Sequence, residues 1–115
     1  MENVVVEKSL EFAVRIVNLC RYLKREKKES ELVSQLIKSG TSIGANIKEA
    51  QEGQSKNDFV SKMSIALKEA SETEYWLEVM YRTDSLTEQQ YESMKGDCKE
   101  LLKILTSIIK NSKIN

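Results

Sequence analysis

"SGTSIGANIKEA" runs from Ser39 to Ala50 and holds Gly40 and Gly44, two of only four glycines in a chain without proline. Three structures compete for it: a phosphate-cradling loop, a break in a helix, and a helix pressed closely against another. A phosphate loop needs a strand, a glycine-rich turn and a helix that opens on Gly-Lys-Ser or Gly-Lys-Thr. The stretch lacks that tripeptide and has helical periodicity on both sides. A break would follow from the glycines themselves, each costing about 1 kcal/mol relative to alanine in a helix interior. Register favours the third structure. Val33, Leu36, Gly40, Ile43, Ile47 and Ala50 alternate steps of three and four residues, the seam of a bundle helix.

The same spacing extends in both directions. Upstream, Phe12, Ile16, Leu19 and Leu23 form an apolar stripe that Ala13, Val17 and Cys20 widen, and "KREKKES" interrupts it. Ser30 is placed to cap the second helix. Downstream, "QEGQSK" ends that helix with Gly53 in a C-cap role, and Ser55 with Asp58 opens the next as a variant capping box. The third stripe is Phe59, Met63, Ala66, Ala70, Thr73, Leu77 and Met80. Thr87 with Gln90 forms another capping box, and the fourth stripe is Tyr91, Met94, Cys98, Leu101, Leu105 and Ile108. Helices over about 5–25, 31–51, 56–82 and 88–110, joined by short loops, predict an all-α, up-down-up-down antiparallel four-helix bundle in one domain over residues 1–115. The final "KNSKIN" is expected to fray.

A turn centred near Gly53 predicts which residues of helices 2 and 3 face each other. Ile47 meets Phe59, Ile43 meets Met63, Gly40 meets Ala66, and Leu36 meets Ala70. Gly40, Ala66 and Ala70 then let two backbones approach closely, and dispersion contacts offset the propensity cost of the glycine. Gly44 falls beside the seam, free to serve a third helix or a neighbouring subunit.

Composition restricts the chemistry. At 115 residues, with 18 basic and 18 acidic side chains, the chain has no net charge to steer nucleic acid or acidic lipid. Without histidine, the usual zinc sets and the Glu-x-x-His di-iron design are absent, and no inward cluster of acids points to magnesium. Ser39, Thr41, Ser42, Cys20 and Cys98 lack a histidine base, and helical hydroxyls usually bond their own backbone. No cofactor, no metal and no catalytic residue is expected, so the chain reads as a non-enzyme. No leader or apolar span is visible, and two unpaired cysteines suit the cytoplasm, away from any membrane.

Two kinds of surface remain. Ile65, Tyr75, Trp76 and Val79 lie off the main stripe of helix 3, as Leu10 and Val14 do on helix 1. Flanking side chains of a core and an interface between subunits both account for them, and the second apolar side of helix 1 tilts the reading to an interface. Arg21, Lys24, Arg25, Lys27 and Lys28 cluster at the end of helix 1, where cations complement the helix dipole. Lys95, Lys99, Lys103 and Lys110 form a second basic strip on helix 4. Repeated by symmetry, such strips make a surface for phosphate backbones.

Between Gln35 and Met80 the chain resembles a known family. "SGTSIGANIKEA", the start of helix 3 from Ser55 to Phe59, and "IALKEASETEYWL" resemble the bacterial four-helix-bundle proteins named for open reading frames in 23S rRNA intervening sequences. The resemblance implies a homo-oligomer, a pentameric ring, and no established enzymatic activity. More distantly, the chain is similar to the accessory variability determinant proteins of diversity-generating retroelements, basic pentameric barrels that associate with nucleic acid and a reverse transcriptase. It departs from them in being neutral. The expected function is a ring-forming adaptor for RNA or a nucleoprotein; the alternative is a protein-interaction scaffold that binds no nucleic acid.

Overall fold

The structure, a computed structural model, describes residues 2–114. It contains four α-helices: α1 (Glu2–Arg25), α2 (Ser30–Gln51), α3 (Lys56–Arg82) and α4 (Glu88–Ile114). α1 begins earlier and α4 ends later than the periodicity predicts, because helical backbone continues past the last core-facing residue. "KNSKIN" is accordingly helical through Ile114, and Asn115 lies outside the described residues.

Each helix packs against its neighbours in sequence, and α4 closes the square on α1; in the diagonal pairs α1/α3 and α2/α4 no Cα atoms come within 8 Å of each other. The result is an all-α four-helix bundle measuring 47 × 20 × 19 Å. All six residues of the α2 stripe are buried, as are all of the α3 stripe except half-buried Phe59 and all of the α4 stripe. On α1, Phe12, Ile16, Cys20 and Leu23 are buried and Leu19 is half-buried.

Local chemistry sets the ends. The Ser55 hydroxyl accepts from the Asp58 amide at 3.0 Å. Thr87 and Gln90 bond reciprocally, amide to side chain, at 2.9 and 3.1 Å, which satisfies two otherwise unpaired donors of α4. Ser30 is not a cap: it is the first residue of α2, and Glu29 before it makes no side-chain cap bond. Nor does Gly53 adopt the left-handed conformation of a glycine cap, since no glycine has positive φ; Glu52 ends α2 with φ −102°. Left-handed backbone occurs at Lys27 (φ 57°) and Asp84 (φ 65°). Lys28 and Ser85 then donate five residues back, to the carbonyls of Leu23 and Met80 at 3.0 and 2.8 Å, closing α1 and α3 with the same motif.

The facing of α2 and α3 differs from the Gly53-centred register. That register puts Ser39 opposite Leu67 or Lys68, whereas its hydroxyl accepts from Thr73 at 3.0 Å, and Glu49 pairs with Lys62 at 2.9 Å. Helical side chains lean towards their own N-terminus. In an antiparallel pair that lean carries the α3 partner farther from the turn.

Candidate functional site

Gly40 is where α2 meets α1, not α3. A β-carbon added there would lie 2.8 Å from Ile16 Cγ1 and 2.9 Å from Cγ2. Ile16 is fully buried and β-branched, so it has no alternative position. A β-carbon at Gly44 would lie 3.3 Å from the backbone oxygen of Ser9. Both glycines therefore set the α1–α2 spacing. The error in the expected partner arose because the seam of α2 faces two neighbours at once. Ala66 and Ala70 are fully buried, and the Ala70 carbonyl accepts from the Cys98 thiol of α4 at 3.2 Å.

Above Gly44 the α1–α2 seam opens into an apolar groove of ≈ 370 Å³ bordered by Val6, Ser9, Leu10, Ala13, Ala45 and Lys48, among others. Sequence periodicity missed it, because a groove depends on the outer edges of two helices. The missing side chain at Gly44, beside the small Ala45, was the available signal. Leu10 and Val14 are 57% and 54% exposed on the outer side of α1.

On α3, Tyr75 is 59% exposed and Ile65 39%, while Trp76 and Val79 are half-buried. The Trp76 indole donates to Glu72 Oε2 at 3.1 Å and packs edge-on against Tyr75. Glu69, one helical turn from Glu72, has its carboxyl pushed up by burial first and by the Glu72 charge second, against the opposing pull of Lys38 and Lys68. Ile65, Glu69, Glu72, Trp76 and Val79 follow steps of four and three, so they form one face.

The cations divide into two groups. Arg21, Lys24, Arg25 and Lys27 are exposed, Lys28 is half-buried, and none makes an ion pair among the described residues. On α4 the free strip is thinner than its spacing implies. Lys99 lies 3.2 Å from Glu74 and Lys95 stands over the Tyr91 ring at 5.3 Å, whereas Lys103 is exposed and makes no ion pair among the described residues. Tyr91 in turn stacks on Tyr81 at 4.5 Å. The Glu74 oxygen nearest Lys99 is buried and has no partner in hydrogen-bond geometry, so that contact is a charge pair alone.

Neither cysteine is poised as a nucleophile. Burial pushes the Cys20 thiol up to about 11 and the Cys98 thiol to about 12. Among the described residues no cluster of acids or cysteines is arranged to hold a metal ion. Among the described residues no helix is long and apolar enough to cross a membrane.

Residues 1–107 match the family described as "23S rRNA-intervening sequence protein". The chain belongs to that family. The crystal structure of a protein with unknown function from the S23 ribosomal protein family of Bacteroides thetaiotaomicron VPI-5482 is similar to it, with 59% identity, TM-score 0.93 and coverage of 95% of this chain and 97% of that one. No functionally curated protein matches. In this member of the 23S rRNA-intervening sequence family the unpaired cations at the end of α1 and the exposed apolar side chains of α1 and α3 are the features that distinguish the surface.

Proposed function

We propose that this chain is a non-enzymatic, self-assembling helical protein of the cytoplasm, a ring that acts as an adaptor for RNA or a nucleoprotein. Its phosphate contacts are drawn from the cluster Arg21 to Lys28, with Lys103 as an outlying cation. The observation that carries the reading is the state of that cluster: five cations on one helix end without an ion-pair partner among the described residues, in a chain of zero net charge. Arg15 and Lys8, farther along α1, are by contrast paired with Asp97 and Glu100. Unpaired cations release counterions from a phosphate backbone, and the symmetry of a ring multiplies the effect.

A mobility-shift assay on structured RNA across a salt series tests this. Binding is expected at low salt and should weaken by roughly 0.7 to 0.9 log units per contact for each log unit of salt. Arg25→Gln with Lys27→Gln should weaken it further. No binding at low salt would remove the reading. Lys27→Gly separates charge from fold: it should weaken binding while stabilising the chain by about 1 kcal/mol, since glycine adopts positive φ without strain.

The second reading is an interaction scaffold that binds no nucleic acid. The exposed Leu10, Val14 and Tyr75, together with balanced charge, favour it. Both readings share self-assembly.

A further inference from the structure

We infer that assembly is head-to-tail: the outer stripe of α1 in one copy packs, in parallel, on the outer stripe of α3 in the next. This rests on the self-assembling reading above and assigns its contact.

The argument starts from spacing. Val17, Arg21 and Lys24 step by four and three residues within α1, and Ile65, Glu69 and Glu72 step identically within α3, so each set is one face of its helix. Laid parallel, the faces match in register. Val17 covers Ile65, Arg21 meets Glu69, and Lys24 meets Glu72.

Each stripe lacks what the other offers. Arg21 and Lys24 have no anionic partner, and Glu69 and Glu72 stand together with no ion pair, among the described residues. Burial and mutual repulsion already strain Glu69 towards its neutral form, and a facing guanidinium relieves that. Ile65 is 39% exposed, a contact left uncovered within the copy.

One copy cannot satisfy itself. α1 and α3 occupy diagonal corners of the square, with no Cα atoms within 8 Å of each other. Because they run in the same direction within a copy, rotation about an axis along the bundles keeps α1 of one copy parallel to α3 of the next. Two different patches in contact generate a ring when the rotation closes. The contact takes Arg21 and Lys24 into the seam between copies and leaves Arg25, Lys27 and Lys28 for phosphate.

Charge reversal and cysteine trapping on the full chain test the pairing, with circular dichroism confirming helix content. Arg21→Glu with Lys24→Glu should weaken self-association at least about tenfold by light scattering, as should Glu69→Lys with Glu72→Lys. All four changes in one chain should restore assembly. Mixed chains carrying Val17→Cys and Ile65→Cys should form a disulfide between copies on mild oxidation, while Val17→Cys mixed with Trp76→Cys should not. A wild-type chain that stays monomeric would overturn assembly itself. An oligomer indifferent to both reversals, a quadruple variant that stays apart, or trapping through Trp76→Cys in place of Ile65→Cys would overturn this pairing and leave assembly standing.

Discussion

α1 faces two neighbours and meets them by opposite means. Against α2 it is held by absent atoms: Gly40 admits Ile16, Gly44 admits the Ser9 backbone, and the Cys20 thiol lies 3.8 Å from the Val33 carbonyl. Against α4 it is held by exposed side chains. Arg15 bonds Asp97 and Ser93, and Lys8 bonds Glu100. Dispersion between close backbones is insensitive to salt and intolerant of added volume. Exposed ion pairs are the reverse. One helix therefore has a fixed side and a yielding side.

The largest expected effect attacks the fixed side. Gly40→Leu should destabilise the chain by about 3 kcal/mol or more in urea denaturation, because overpacking meets a buried isoleucine. Gly40→Ala should cost about 1 to 2 kcal/mol, part of the clash being offset by better helix propensity. Unchanged stability in Gly40→Leu would mean that the α1–α2 seam is not close.

Alkaline pH comes next. An unfolded thiol ionises near 9, and the folded ones near 11 and 12. Above pH 9 the unfolded state binds fewer protons, so stability falls as pH rises, by about 1.4 kcal/mol per unit for each thiol. Replacing Cys20 with alanine should remove the part contributed by the α1–α2 seam. Denaturation midpoints at pH 8, 9 and 10 read the slope, and a slope identical with and without Cys20 would show that the thiol is not buried there.

Gly44→Ala should shift stability by less than about 1 kcal/mol, since a 3.3 Å approach to Ser9 opposes a propensity gain of similar size. The smallest effect belongs to the yielding side. Arg15→Ala or Asp97→Asn should cost less than about 1 kcal/mol in low salt and less still in high salt. A loss of several kcal/mol there would make the two seams alike.

The four stripes were legible because burial within a helix follows a period of 3.6 residues, and almost every residue placed on a stripe is buried. The partner of Gly40 was not legible. Period fixes which side of α2 points inwards, and that side touches both α1 and α3. Ser30 misled because its residue type suits a cap while the chain enters α2 one residue earlier. Lys95 and Lys99 looked free because their partners, the Tyr91 ring and Glu74, depend on rotamers and on a neighbouring helix. Of the candidate surfaces, the exposure of Leu10, Val14 and Tyr75 followed from stripe counting. Spacing alone puts Glu69 and Glu72 beside the α3 stripe; it does not give the bond from Trp76 to Glu72 or the burial of Glu69, which depend on rotamers and neighbouring helices.

Self-assembly underlies both functional readings and the α1–α3 contact, and the mass of the wild-type chain in solution tests it most directly. Light scattering at low salt should give a multiple of 13.2 kDa that dissociates as salt rises. A mass of one subunit at every concentration would contradict it and return Leu10, Val14, Tyr75 and Trp76 to the ordinary surface of a monomer.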